Sequence, residues 1–258
     1  MRFQDNIALI TGAGSGIGRA TAIRMADEGA KVILVGRTRS KLEAVAEEIN
    51  KTKKIPMAEV FPADVMDPED INDLQHYVQE QFGDLHILVN NAGGSANGTI
   101  LDASEEIWDY AYKLNLKSVV LMCQKLGQIM VEGAKKDPSP QNRAIVNVSS
   151  LSGYKAGARF VPYSTSKAGV ISFTRALALE LSEYGIRANS VSPAFVETPL
   201  TEGGLQNERF VQVILEKTPL RRIAKPEEIA NIICFAASDE ASYMTGTDFL
   251  ADGGWLLK

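Results

Sequence analysis

Short, uninterrupted apolar runs recur along the chain, each followed by a longer segment of helical period. The runs are Ile7–Ile10, Val32–Val35, Met57–Phe61, Ile87–Asn90, Ile145–Val148, Ala188–Val191 and Asp248–Ala251. A strand with one face in water alternates apolar and polar residues. These runs do not alternate, so both faces of each must be covered. The intervening segments supply the cover. Gly16–Asp27 sets Ile17, Thr21 and Arg24–Met25 on successive turns, and Ser40–Asn50 sets Leu42, Val45, Ala46 and Ile49 on one face. Pro68 suits the first turn of a helix over Glu69–Gln81, with Asp67 as its N-cap. Strand and helix in strict alternation predict an α/β fold, a doubly wound parallel sheet of about seven strands joined by right-handed crossovers. No linker and no repeat of fixed period divides the chain, so residues 1–258 read as a single domain. The polar stretch Glu132–Asn142 is the best loop, expected at the N-terminal edge of the sheet.

Composition narrows the classes further. With 45% apolar and 23% charged residues the chain is not disordered, and 27 basic against 32 acidic side chains give a net charge of −5. That balance argues against a nucleic-acid partner, which leaves a basic footprint. No apolar run approaches the roughly 20 residues that cross a bilayer, and the first residues enter a strand without a leader pattern. Cys123 and Cys234 sit among apolar neighbours and read as buried thiols of a cytoplasmic protein. His76 and His86 lack partners at metal-ligand spacing, so both read as structural and no metal is expected.

The first run leads into Thr11-Gly12-Ala13-Gly14-Ser15-Gly16-Ile17-Gly18 and then a helix. Glycines allow a sharp turn, a close approach of backbone N–H groups to a pyrophosphate and tight helix–strand packing. The helix N-terminus adds partial positive charge where phosphates would sit. The spacing is Gly-x3-Gly-x-Gly, neither G-x-G-x-x-G nor a Walker loop. About 20 residues on, where a dinucleotide site tests the adenosine ribose, stand Gly36-Arg37-Thr38-Arg39. No carboxylate is there to repel a 2′-phosphate, while Arg37 and Arg39 can pair with one, which favours NADP and leaves NAD possible. The architecture is then Rossmann-type.

A second cluster carries chemistry. Tyr163 and Lys167 are four residues apart in a helical stretch reaching about Glu183, and so share one face. A phenol titrates near 10, and a neighbouring ammonium favours its phenolate and can bring a tyrosine into acid–base range. Thirteen residues earlier Ser150 ends a buried-looking strand, where a hydroxyl can orient a substrate oxygen.

Together these elements resemble the short-chain dehydrogenase/reductase family in its compact single-domain form. The resemblance spans essentially the whole chain. It rests on Thr11-Gly12-x3-Gly16-x-Gly18, Asp64-Val65, Asn90-Asn91-Ala92-Gly93, Asn115, Ser150, Tyr163-x3-Lys167, Pro193-x4-Thr198 and Asp252-Gly253-Gly254. It implies that Gly12, Ser15, Gly16, Ile17 and Gly18 cradle the pyrophosphate, that Asp64 and Val65 flank the adenine, and that Asn91, Ala92 and Gly93 line the cofactor. Asn90 would tie strands together, and Val196 and Thr198 would meet the nicotinamide amide. Tyr163 would move the hydroxyl proton, Lys167 would also bond the nicotinamide ribose, Ser150 would hold the substrate oxygen, and Asn115 would anchor a water linking Lys167 to solvent. Two departures stand out. Ala194 follows Pro193 where the family often has glycine, and Tyr184 precedes Gly185 where members acting on carrier-protein acyl groups tend to be basic.

The implied activity is NADP(H)-dependent interconversion of a secondary alcohol and a ketone. Reduction of 3-oxoacyl groups on carrier protein or CoA, or oxidation of a sugar, are alternatives within the family. A non-catalytic NADP sensor is the alternative outside enzymes, and a sugar-nucleotide epimerase would need a further domain. Residues 197–216 are expected to form a substrate lid hinged at Gly203-Gly204, with Phe210, Val211, Ile214 and Leu215 as its apolar face. Ser95, Leu151, Ser152, Tyr154, Phe160 and Phe195 would surround a medium-sized, partly apolar ketone or alcohol, with Lys155 and Arg159 as the only candidates to clamp an anion. Relatives usually form tetramers. The helix bearing Phe173, Leu177, Leu179 and Leu181, and the apolar tail Trp255-Leu256-Leu257, agree with a homotetramer.

Overall fold

The structure, a computed structural model, describes residues 1–51, 53–137 and 142–258. Seven strands form one parallel sheet: β1 (Ile7–Thr11), β2 (Lys31–Gly36), β3 (Ala58–Pro62), β4 (Ile87–Asn90), β5 (Arg143–Val148), β6 (Ile186–Pro193) and β7 (Asp248–Ala251), in the order β3-β2-β1-β4-β5-β6-β7. Every apolar run read from the sequence is a strand, within a residue or two at each end. The chain winds outward from β1 to β3, then returns to lay β4 on the other side of β1, in register Ala8 to Ile87 and Ile10 to Val89. The order therefore reverses between β1 and β4, and a crevice opens above their C-terminal ends.

Successive residues of each strand feed opposite cores. Ala8, Ile10, Val32 and Leu34 face α1 (Gly16–Asp27), α2 (Arg39–Asn50) and the helix Pro226–Ala237. Leu9, Ile33, Leu88 and Ile145 face α3 (Pro68–Gln81) and the helices Ser118–Lys136 and Val161–Leu181. This two-sided burial is the reason the strands read as continuous apolar runs. Asp67 caps α3 as expected, its side chain accepting from the Glu69 N–H, with Pro68 in the first turn.

Between β4 and β5 the chain forms α4 (Glu105–Tyr112), a single π turn (Lys113–Lys117) and α5 (Ser118–Lys136). The expected loop over Glu132–Asn142 is thus corrected at its start, because α5 continues to Lys136; residues 138–141 lie outside the described residues. Then follow α6 (Val161–Leu181), α7 (Pro199–Leu205), α8 (Glu208–Lys217) and α9 (Pro226–Ala237). Cys123 and Cys234 are free and buried, and burial pushes each thiol up to about 12. His86 is structural, its Nδ1 accepting from the Ile7 N–H at 3.2 Å. Asn90 ties strands as expected, donating to Asn147 on β5 at 2.9 Å. No described helix is long and apolar enough to cross a membrane.

One ion pair braces the N-terminal edge of the sheet. Arg143, 2% exposed at its side chain, grips Asp84 with both guanidinium nitrogens at 2.6 and 2.7 Å. Partial burial alone would raise the Asp84 carboxyl, but the Arg143 hydrogen bonds outweigh it and hold the group below its ordinary range. Asp84→Asn is expected to lower stability at neutral pH by about 1–2 kcal/mol, less than for a fully buried pair because Asp84 is partly exposed. A group with a depressed folded pKa contributes above its unfolded pKa, and the contribution disappears as pH falls through the folded value. The gap between wild type and variant should therefore close on acidification below about pH 4, as followed by thermal unfolding across pH.

Candidate active site

The crevice is built first by glycine. Gly12 and Gly16 hold φ of +65° and +52°, a region that disfavours other residues. A Cβ on Gly18 would lie 2.3 Å from the Gly12 carbonyl oxygen, so α1 can approach β1 only without a side chain there. The facing edge is fastened by Thr11, whose hydroxyl accepts from the N–H groups of Asn91 at 3.0 Å and Ala92 at 2.9 Å, while Asn91 Nδ2 donates to the Thr11 carbonyl at 2.9 Å. Ser15 precedes α1 in an extended conformation and spends no side-chain bond on capping it; Ile17 follows in the first turn.

Other residues singled out from the sequence close around this turn. Thr198 lies against Gly16, its Cγ2 3.2 Å from where a Cβ would stand, and opens α7 in a reciprocal capping pair with Thr201. Val196 is buried. Arg37 is exposed just past β2, while Arg39 begins α2 and reaches Glu43 at 3.7 Å. Val65 is buried, and the Asp64 carboxylate accepts from the Met66 N–H at 3.0 Å, so it shapes its own turn. Ala194 needs no positive φ, and its N–H donates to Ala251 on β7 at 3.0 Å. Alanine therefore fits that turn without strain.

The second cluster stands on α6 and the end of β5. Lys167, 4% exposed, donates from Nζ to the Val148 carbonyl at 2.9 Å, and its own carbonyl accepts from Ser149 at 2.7 Å. The ammonium lies 5.8 Å from the centre of the Tyr163 ring. Ser150 stands beside Tyr163 and lowers its phenol pKa, and the Ser150 Oγ accepts from the Ser152 N–H at 3.1 Å. Asn115 arrives from the π turn, fully buried; its Oδ1 accepts from Gly94 at 3.0 Å and its Nδ2 donates to Ala111 at 3.2 Å. A Cβ on Gly93 would stand 3.1 Å from Asn115 Oδ1 and 3.5 Å from Lys167 Nζ, so a bare backbone separates the two side chains. Asn115, Ser150 and the Tyr163–Lys167 pair, from three separate stretches of the chain, share one place.

A relative and two solved structures match this architecture along nearly its whole length. A model of the family described as enoyl-(acyl carrier protein) reductase matches residues 12–256. The 3-oxoacyl-acyl-carrier-protein reductase FabG of Thermotoga maritima is 37% identical over 258 residues, covering all of both chains. A short-chain type dehydrogenase/reductase from Mycobacterium ulcerans superposes with a TM-score of 0.93 at 29% identity, covering 100% of this chain and 92% of that one. Levodione reductase superposes at 0.91 with 31% identity and 98% coverage of both. The chain belongs to the short-chain dehydrogenase/reductase family.

For a short-chain dehydrogenase/reductase site the electrostatics carry a correction to the sequence reading. Lys167 was expected to draw the Tyr163 phenol down. Instead burial pushes the phenol up, and the neighbouring Ser150 hydroxyl only partly offsets it. Burial also depresses the Lys167 ammonium to about 8. Burial thus disfavours the charged form of each group, the phenolate at Tyr163 and the ammonium at Lys167.

The substrate side differs in three respects from expectation. Gly203 and Gly204 lie inside α7 rather than at a hinge; the break falls at Gln206–Asn207, where the Asn207 side chain accepts from the Phe210 N–H at 3.2 Å to start α8. Tyr154 turns its hydroxyl away to Asp248 at 2.8 Å. Lys155 reaches the backbone of Lys258 at 3.5 Å. The Phe195 ring packs between Phe210 at 5.7 Å and Trp255 at 5.0 Å. Leu151 is buried, Ser95 bonds Asn97 at 2.8 Å, and Phe160 bridges to Gly98 across the mouth. Of the lid's expected apolar face, Ile214 is buried and Val211 and Leu215 are half-buried. The sequence reading missed Thr11 and Ser149 as braces of the site. Their signal was a hydroxyl at the last position of a buried strand or just past it.

Gly18→Ala should push α1 away from Gly12 and weaken dinucleotide binding at least tenfold, about 1.4 kcal/mol, in a fluorescence titration with NADPH. Unchanged affinity would show that the close approach has no part in binding.

Proposed function

We propose that this chain is an NADP(H)-dependent oxidoreductase that interconverts a ketone and a secondary alcohol. The observation that carries the reading is Tyr163 with Ser150 beside it and the buried Lys167 ammonium 5.8 Å from its ring centre. A protein that only sensed the dinucleotide would need Lys167 for the ribose but would have no use for a serine hydroxyl placed beside the Tyr163 phenol.

The cradle fits a dinucleotide. Gly12, Ser15, Gly16, Ile17 and Gly18 would hold the pyrophosphate on exposed N–H groups and the N-terminus of α1. Asp64 and Val65 would flank the adenine, and exposed Arg37 would pair with a 2′-phosphate, favouring NADP over NAD. Asn91, Ala92, Gly93, Val196 and Thr198 would line the nicotinamide end, and Tyr163 and Lys167 would reach its ribose. When bound, the nicotinamide supplies or accepts the hydride.

The chain's own residues handle the oxygen. Ser150 and Tyr163 hydroxyls hold the carbonyl oxygen and polarise it. In reduction, the carbon gains the hydride and the oxygen takes the Tyr163 proton. The raised phenol keeps that proton on Tyr163 at neutral pH, which suits reduction. The Lys167 ammonium steadies the phenolate left behind, and Asn115 fixes Gly94 and the backbone beside Lys167. In oxidation the same steps reverse.

The Thermotoga relative, matched end to end, supports a second reading, reduction of a 3-oxoacyl thioester. Tyr184 in place of a basic residue supports the simpler ketone or alcohol instead, and a sugar substrate stands within the same chemistry. We take residues 1–258 as one functional unit, with 197–216 as its lid. Two free, buried thiols support a cytoplasmic setting.

NADPH and NADH oxidation against a panel of ketones, 3-oxoacyl thioesters and sugar ketones tests the reading. NADPH is expected to be preferred, and Tyr163→Phe to abolish turnover while leaving NADPH affinity within about twofold. Substantial turnover by that variant would sink the assignment. A homotetramer is supported by Leu179 and Leu257, 79% and 83% exposed at the two expected contact surfaces. Light scattering should give about four times the 28.0 kDa chain mass, and a stable monomer would refute the assembly.

A further inference from the structure

Two serines and an aspartate interrupt the apolar strands at the β6–β7 border. Ser190 and Ser192 point to one face of β6 and are 1% and 0% exposed, and Asp248 is the partner of Ser190 across the β7 register. Hydroxyls buried this deeply in a sheet are costly unless paired. Here Asp248 pairs them: its Oδ1 accepts from Ser190 and, at 2.9 Å, from Ser192. Two buried donors thereby fix the carboxylate. Its second oxygen accepts from the Tyr154 hydroxyl at 2.8 Å.

Tyr154 ends the short turn that begins at Ser150. The Gly153 N–H donates to the Ser150 carbonyl and the Tyr154 N–H to the Leu151 carbonyl, both at 2.9 Å. The turn presses onto α6. A Cβ on Gly153 would lie 2.9 Å from Ile171 Cδ1 and 3.1 Å from the Lys167 backbone. Partial burial and the bond to Asp248 push the Tyr154 phenol up to about 12, so it remains a donor throughout the neutral range. The strap runs from Ser150, over the helix carrying Tyr163 and Lys167, to an anchor two strands away.

We propose that Tyr154 and Asp248 form a clasp that positions Ser150 against Tyr163, and with it the substrate oxygen. Tyr154 is a positioning residue and touches neither substrate nor cofactor. The clasp rests on the roles given above to Ser150 and Tyr163. It assigns purpose to a tyrosine whose hydroxyl faces away from the cleft and to a carboxylate on an edge strand.

Tyr154→Phe removes one oxygen and leaves the ring. It is expected to lower kcat at least about tenfold, the scale set by small misplacements of a reacting group, with NADPH affinity and Tm nearly unchanged. Ser150→Ala should lower kcat too, and adding Tyr154→Phe to it should cost little more, because the clasp acts through Ser150. Amide exchange at residues 151–154 should accelerate in Tyr154→Phe with or without substrate, a readout independent of turnover. Wild-type kcat in Tyr154→Phe, or an equal loss with and without Ser150, would overturn the clasp. Undiminished turnover in Ser150→Ala would overturn the catalytic reading, and the clasp's role with it, while faster exchange alone would still locate the strap.

Discussion

Everything at the site depends on how closely two neighbouring strands and one helix can meet where the sheet changes direction. β1 and β4 are adjacent in space but separated by 75 residues of chain, from Thr11 to Ile87. The Thr11 hydroxyl takes two backbone N–H groups of the β4 turn, and Asn91 returns a bond to the Thr11 carbonyl. The missing side chain at Gly18 lets the first helix settle within contact of the Gly12 carbonyl. Once these approaches are made, the N–H groups at the start of α1 face an open crevice, and Gly93 can separate Asn115 from Lys167 by a bare backbone. A single added methyl at Gly18 or Gly93 would act on binding at one end of the crevice and on acid–base chemistry at the other.

Lys167 shows how the packing of the sheet becomes chemistry. Its stem is enclosed, and its ammonium spends a hydrogen bond on the Val148 carbonyl at the end of β5. That places a positive charge at the base of the Tyr163 ring without a carboxylate partner to neutralise it. The cost of dehydration is retained as a readiness to interact with negative charge nearby. Under the proposed reaction a phenolate at Tyr163 would supply the counter-charge, a form of preorganisation.

The strands were legible because two-sided burial leaves an unmistakable pattern: β4 and β7 fell on the expected residues, and the other strands within a residue or two. The α1 and α3 boundaries were equally plain, from the glycine turn and from Asp67-Pro68. Less legible were features set by tertiary packing. Asn115 could be chosen by resemblance, but nothing local announced that it sits on a π turn. Gly203-Gly204 looked like a hinge because glycine often is one, yet neighbouring Phe210 packs over Gly204 and the pair stays helical. The direction of the Tyr163 shift also escaped sequence reading, since spacing on a helix fixes proximity to Lys167 but says nothing of how deeply the phenol is buried. Tyr154 was assigned to the substrate cleft for its place near Ser150, whereas a carboxylate 94 positions later takes its hydroxyl.

The π turn at Lys113–Lys117 makes chain length, rather than residue type, the controlled quantity between α4 and α5. A wider turn holds an extra residue per revolution, and each α-helical residue advances the face by about 100°. Upstream, Ala111 is buried and its carbonyl receives Asn115. Downstream, Val119, Met122, Cys123 and Leu126 must face the sheet. The extra residue reconciles these two phases while leaving the Asn115 side chain bonded to Gly94, across Gly93 from Lys167. A deletion of one residue anywhere in this stretch would force a choice between rolling the buried face of α5 out of the core and swinging Asn115 off the site. The segment is a gear whose tooth count matters more than the material of any one tooth.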